Sequence, residues 1–129
     1  MTTFIVKKLV RDRTQERIEK YGGKVHVHTL SPTETIEKLK EKLLEESQEV
    51  ADAMTPEELL SEIGDVYSVL RGLRKYCNIS DEQIEVVLAE KKLIRGEYDN
   101  RCFVEKVEVE KDHHWFEYYN SQPKRYPKK

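Results

Sequence analysis

Apolar residues recur at three- and four-residue intervals through the middle of the chain. Ile36, Leu39, Leu43, Val50 and Met54 make one set, and Leu59, Ile63, Val66, Leu70 and Leu73 a second. Ile84, Val87, Leu88 and the stem of Lys91 make a third. Such spacing puts each set on one helical face, so three helices form the predicted core. The start signals agree. Ser31-Pro32-Thr33-Glu34 offers a cap, a proline at the first helical position and a capping-box glutamate. Thr55-Pro56-Glu57-Glu58 repeats the device, and Ser80-Asp81-Glu82-Gln83 is a third box. The first helix is predicted to run to about Ala53 and the third to stop at Gly96. Met54-Thr55-Pro56-Glu57 reads as a tight turn that folds the first two into a hairpin.

The ends of the chain have a different texture. Residues 4–10, apolar apart from Lys7 and Lys8, read as a short strand or an ordered lead-in. Asp12 is placed to cap a helix over 13–21 that ends at Gly22-Gly23. Lys24 to His28 alternates with period two, and Cys102 to Glu110 is valine-rich with partial alternation. The two are predicted as short strands that pair with one another. Trp115-Phe116-Glu117-Tyr118-Tyr119 is an aromatic cluster expected to dock on the body or on a second subunit. The fold class expected is thus an all-α helical bundle with short peripheral β-strands. A single domain over 1–129 is expected, with 108–129 as a C-terminal extension.

Composition narrows the picture. Of 129 residues, 37% are charged and 37% hydrophobic, with a mean hydropathy of -0.78. No apolar run approaches the roughly 20 residues of a membrane span. Such a balance suits long helices with solvated outer faces, and also a subunit that completes its core at an interface. The net charge of -2 argues against strong non-specific nucleic-acid binding, despite a basic end at Lys124, Arg125, Lys128 and Lys129. Two cysteines, Cys77 and Cys102, make a poor disulfide framework, and the N-terminus lacks the features of a secretion signal. A reducing cytoplasm is the expected setting.

Two acidic segments change the reading from architecture to chemistry. Glu45-Glu46-Ser47-Gln48-Glu49 lies in the first core helix and Glu62-Ile63-Gly64-Asp65 in the second. Glu46 and Glu49 are three apart, as are Glu62 and Asp65, so each pair shares a helical face. The bland account is a solvated face. Against it, the first set borders the apolar stripe, and Glu62 and Asp65 interrupt a helix otherwise rich in leucine and valine. Neither has a basic neighbour three or four residues away. Carboxylates packed together repel unless a cation or a proton intervenes. Mg2+ suits them, since it takes hard oxygen ligands and commonly bridges carboxylates to phosphates. Gly64, between the two acids, fits a close approach of backbone or ligand, or a helix–helix contact.

With these motifs in order, the chain resembles the all-α nucleoside triphosphate pyrophosphatases, the MazG-like superfamily, marked by EExxE followed by ExxD on the next helix. Lys8-Leu9-Val10-Arg11-Asp12-Arg13 resembles the KLVRDK opening of a small stand-alone branch of it. Arg95-Gly96-Glu97-Tyr98, then Arg101 and Phe103-Val104-Glu105-Lys106-Val107, resembles that branch's closing motif. Thr14-Gln15 departs from the usual Ile-Pro, and Tyr98 and Val104 stand where phenylalanine and leucine are usual. The resemblance covers about residues 5–107.

It implies that Glu46, Glu49, Glu62 and Asp65 hold Mg2+, with Mn2+ as a substitute, and that Glu45 assists as a less direct ligand or by positioning water. It implies attack at the α-phosphorus of a nucleoside triphosphate, giving a monophosphate and pyrophosphate, as in the removal of non-standard nucleotides. Lys8, Arg11, Arg13, Lys91, Lys92, Arg95 and Arg101 are the basic groups available for the phosphates; Arg11, Arg95 and Arg101 stand inside the matched motifs. Assembly as a homodimer or homotetramer, with active sites shared between subunits, is implied too. Within the enzyme class the alternative is a phosphoribosyl-ATP pyrophosphohydrolase-like activity. Outside it stands a non-catalytic helical protein that binds a nucleotide or simply assembles. His26, His28, His113 and His114 lack the ligand spacing of a closed zinc site. Tyr67, Tyr76, Tyr98 and Trp115 are aromatic enough to stack on a base, although burial in a core or interface is the commoner fate of such residues.

Overall fold

A computed structural model describes residues 1–129. It contains five helices: α1 (Thr14–Lys20), α2 (Pro32–Asp52), α3 (Pro56–Tyr76), α4 (Asp81–Arg95) and α5 (Phe116–Asn120). The chain divides into two compact units, Met1–Glu90 and Lys91–Lys129, with the boundary inside α4.

The first unit is organised by the α2–α3 hairpin. Ser31 Oγ accepts the Glu34 N–H at 3.2 Å while the Ser31 N–H donates to the Glu34 carboxylate at 3.3 Å, closing the predicted capping box. At α3, Thr55 Oγ1 accepts from the Glu58 N–H at 3.1 Å, but the Glu58 carboxylate reaches back to the Met54 N–H at 2.8 Å. Only Ala53, Met54 and Thr55 lie between α2 and α3, which fold back and pack side by side. Leu39 of α2 and Val69 of α3 are the buried apolar residues, worth roughly 1.5–3 kcal/mol each. Gly72 lets them approach. A Cβ there would stand 3.3 Å from a methyl carbon of Leu39. At the far end of α3, Arg74 pairs with Asp81 across the turn into α4. Reciprocal bonds between Ser80 and Gln83 start α4, which ends as predicted before Gly96 at φ +75°.

Two expectations fail. The chain contains no β-strand: residues 24–29 and 102–110 are irregular. A strand requires a partner for its ladder groups, and the two segments fall in different compact units. Even paired, an isolated two-stranded ribbon is marginal in water. Val27 and Val104 are exposed accordingly. The architecture is all-α without the peripheral strands. Secondly, Asp12 does not cap α1. Arg13 holds the N-cap position with no side-chain cap bond, and its guanidinium pairs with Glu16 at 2.8 Å instead.

In the second unit, α5 carries a small aromatic cluster. Trp115 meets Tyr118 edge-on at 5.2 Å between ring centroids, and Tyr119 meets Tyr126 at 5.0 Å. The hydroxyls of Tyr118 and Tyr126 share a hydrogen bond. Cys77 and Cys102 are free thiols, and no helix is long and apolar enough to cross a membrane.

Candidate metal centre

The helical hairpin brings the two acidic motifs together. Glu46, Glu49, Glu62 and Asp65 each present a carboxylate oxygen, and all four oxygens lie within 4.8 Å of one another. Opposite ligands of an octahedral Mg2+ are about 4.1 Å apart, so small side-chain adjustments would close the set on a divalent cation. The four are not equally sheltered: Glu46 is buried, Glu62 and Asp65 are half-buried, and Glu49 is exposed.

Glu46 carries the strongest evidence of a missing positive charge. Only 8% of the residue is exposed, yet its Oε2 has no hydrogen-bond donor. Its other oxygen lies 3.6 Å from Lys42 Nζ, one turn back on α2. Burial, and then the neighbouring Glu49 carboxylate, push the Glu46 pKa above the ordinary carboxylate range. Glu62 Oε2 is also buried without a donor. Two orphaned carboxylate oxygens on members of the converging set fit the donor chemistry of a cation site, since an unpaired buried charge is strongly disfavoured.

Two basic residues of the opening segment reach these acids. Lys8 Nζ donates to Glu45 Oε1 at 2.9 Å, and Arg11 donates to Asp65 Oδ1 at 2.8 Å. The Glu45 bond raises the Lys8 pKa, and Lys8 in turn lowers that of Glu45. Arg13 is not gathered there, being held by Glu16. Lys91, Lys92 and Arg95 are exposed on the last turns of α4, with Arg101 exposed after it; all four belong to the second unit. Lys42 escaped the sequence reading, although its position four residues before Glu46 was a usable signal.

Beside Glu46 runs a groove of about 300 Å³, walled by Leu9, Val10 and Arg11 of the opening segment, by Leu39 and Lys42 of α2, and by Val69 and Tyr76 of α3. Gly64 is not explained by helix packing within the chain: a Cβ there would meet nothing within 4 Å. Of the histidines, His113 stacks on His114, and its Nδ1 accepts the Trp115 N–H at 3.1 Å.

No protein-family model, no curated protein and no solved structure matches the chain.

Proposed function

We propose that this chain is a Mg2+-dependent nucleoside triphosphate pyrophosphohydrolase that cleaves at the α-phosphorus. The observation that carries the reading is the convergence of four carboxylates within 4.8 Å on two packed helices. The buried, donorless oxygens of Glu46 and Glu62 strengthen it. Glu46, Glu49, Glu62 and Asp65 would hold the metal. A Mg2+ held there would supply charge neutralisation for the phosphates and lower the pKa of an attacking water. Glu45 stands next in sequence to Glu46 and orients that water. Lys8, Arg11 and Lys42 supply positive charge near the acids for the leaving pyrophosphate, where preorganised donors contribute most. The groove beside Glu46 offers apolar walls and Tyr76 for the nucleoside.

Pyrophosphate release from a panel of standard and modified nucleotides, with and without Mg2+, tests the reading. Metal-dependent pyrophosphate with a monophosphate product is expected. Orthophosphate alone would overturn the α-phosphorus assignment, and nucleotide binding without any product would favour a binding module instead.

We infer further that the chain assembles with copies of itself as a dimer or tetramer. Leu39 and Val69 alone are buried as apolar residues, while Leu44 is 75% exposed and Leu60 74%. The remaining apolar residues are only partly covered, and a partner copy would remove that surface from water. Light scattering at micromolar concentration should give a multiple of 15.3 kDa; a persistent monomer mass would reject the assembly.

A further inference from the structure

The opening segment is the least explained part of the first unit. Residues 1–13 form no helix, yet Lys8 and Arg11 reach acids 37 and 54 positions away in sequence. The target of Arg11 is Asp65, one of the four converging carboxylates. We propose that this segment is a tethered counter-ion, in which Arg11 occupies Asp65 until a divalent cation displaces it. The inference rests on the metal-site reading above and adds a competitor to it.

Charge balance gives the reason. Glu46 has Lys42 as a companion on its own helix, but Asp65 has no basic neighbour on α3 within a turn. Without a cation, its charge is met by Arg11. A guanidinium on one oxygen of a carboxylate and a divalent cation on the other repel each other, so each weakens the hold of its competitor.

The contact is built to be exchangeable. The Arg11 side chain is 61% exposed, so water takes over its hydrogen bonds readily on release. Arg13, by contrast, is paired one helical turn away with Glu16 and stays with α1.

Displacement leaves Arg11 close to a newly positive centre with its fork free. A phosphate oxyanion is the ligand that this fork fits, and a cation beside it favours the same anion. The segment therefore links the two binding events: the cation alone is opposed by Arg11, whereas a cation carrying a phosphate gives Arg11 a new partner.

Titration calorimetry of the full chain with Mn2+, without nucleotide, tests this. Arg11→Gln should bind the cation roughly twofold to fivefold more tightly than wild type, the range expected when an exposed ion pair no longer competes. Arg11→Lys should stay near wild type. Lys38→Gln, which removes the same charge from a pair with Glu41, should change nothing. Equal or weaker binding by a folded Arg11→Gln variant would overturn the proposal. No Mn2+ binding by wild type or any variant would overturn the metal-site reading itself, and this inference with it.

Discussion

The α2–α3 hairpin and α4 carry the same kind of sequence signal and meet different fates. Each has an amphipathic pattern and a start signal whose capping bonds form. The hairpin buries Thr35, Leu39, Glu46 and Val69, whereas α4 buries nothing, and Val87 and Leu88 of its stripe are 44% and 53% exposed. An apolar stripe thus specifies a helix without specifying what covers it. The stripes of α2 and α3 cover each other, whereas that of α4, joined to α3 by only the four residues 77–80, awaits a partner. The hairpin also buries a carboxylate, Glu46, which no rule of apolar patterning calls for. That difference singles out the hairpin as the place of the candidate metal centre.

The comparison breaks most visibly at the acids. Glu49→Gln and Asp65→Asn keep side-chain volume and remove one ligand charge each. Both should lower the rate of pyrophosphate release by roughly a hundredfold or more, the scale of losing a group that acts directly at a metal centre. Circular dichroism should show the helices intact, because Glu49 is exposed and Asp65 only half-buried. Near-normal rates at saturating substrate would move the chemistry elsewhere.

Packing supplies the next largest contrast. Leu39→Ala should destabilise the chain by about 2–4 kcal/mol, since it empties the contact over Gly72. Leu88→Ala removes a side chain of the α4 stripe that is 53% exposed and should cost about 1 kcal/mol or less in the monomer. Denaturant midpoints compare the two directly. If Leu88→Ala instead costs as much as Leu39→Ala, the stripe of α4 is already covered in solution, which dilution would test.

How much of this was legible beforehand depended on range. Ser31 with Glu34 and Ser80 with Gln83 are contacts three residues long, and they were read correctly from spacing. The gathering of Glu46, Glu49, Glu62 and Asp65 was legible for a related reason: two i,i+3 pairs flank a short turn, so hairpin closure brings them together. Arg11 on Asp65 spans 54 residues, and no periodicity encodes that pairing. Its presence near the acids followed from resemblance alone. The strands over 24–29 and 102–110 were misread because alternation reports a preference for extended backbone, not the presence of a neighbour to pair with. Asp12 was misread as a cap for a local reason, helix α1 starting one residue late behind Arg13.

Acid should sharpen the distinction between Glu46 and the surface carboxylates. The folded pKa of Glu46 is raised, so its protonated form favours the fold. That contribution is complete below the unfolded value and is lost as pH rises through the folded one. Glu16, Glu34 and Glu45 are lowered by Arg13, Ser31 and Lys8 respectively, so their contributions hold above the unfolded value and vanish as pH falls through the folded ones. Without divalent cation, stability should therefore rise on moderate acidification from neutrality and fall at lower pH. Glu46→Gln should abolish the rise and add about 1–2 kcal/mol at pH 7, the scale of relieving an unsatisfied buried group. With Mg2+ the sign reverses, because protons then compete with the metal. Urea midpoints against pH, in chelator and in Mg2+, would show it; a wild-type curve with no rise on acidification in chelator would place Glu46 in a solvated environment.

The smallest expected effect concerns Gly64, which sits between two acids of the centre on an exposed part of α3. Glycine inside a helix costs roughly 1 kcal/mol against alanine, and nothing within the chain occupies the space that a Cβ would fill. Gly64→Ala should therefore stabilise the isolated chain by about 0.5–1 kcal/mol. Under the proposed function that space belongs to an approaching ligand or to another copy of the chain. The same variant should then raise KM or weaken assembly while raising the thermal midpoint of the monomer. A Gly64→Ala protein that is more stable, and unaltered in turnover and in mass, would leave this glycine without a functional role and shift weight back to the four carboxylates alone.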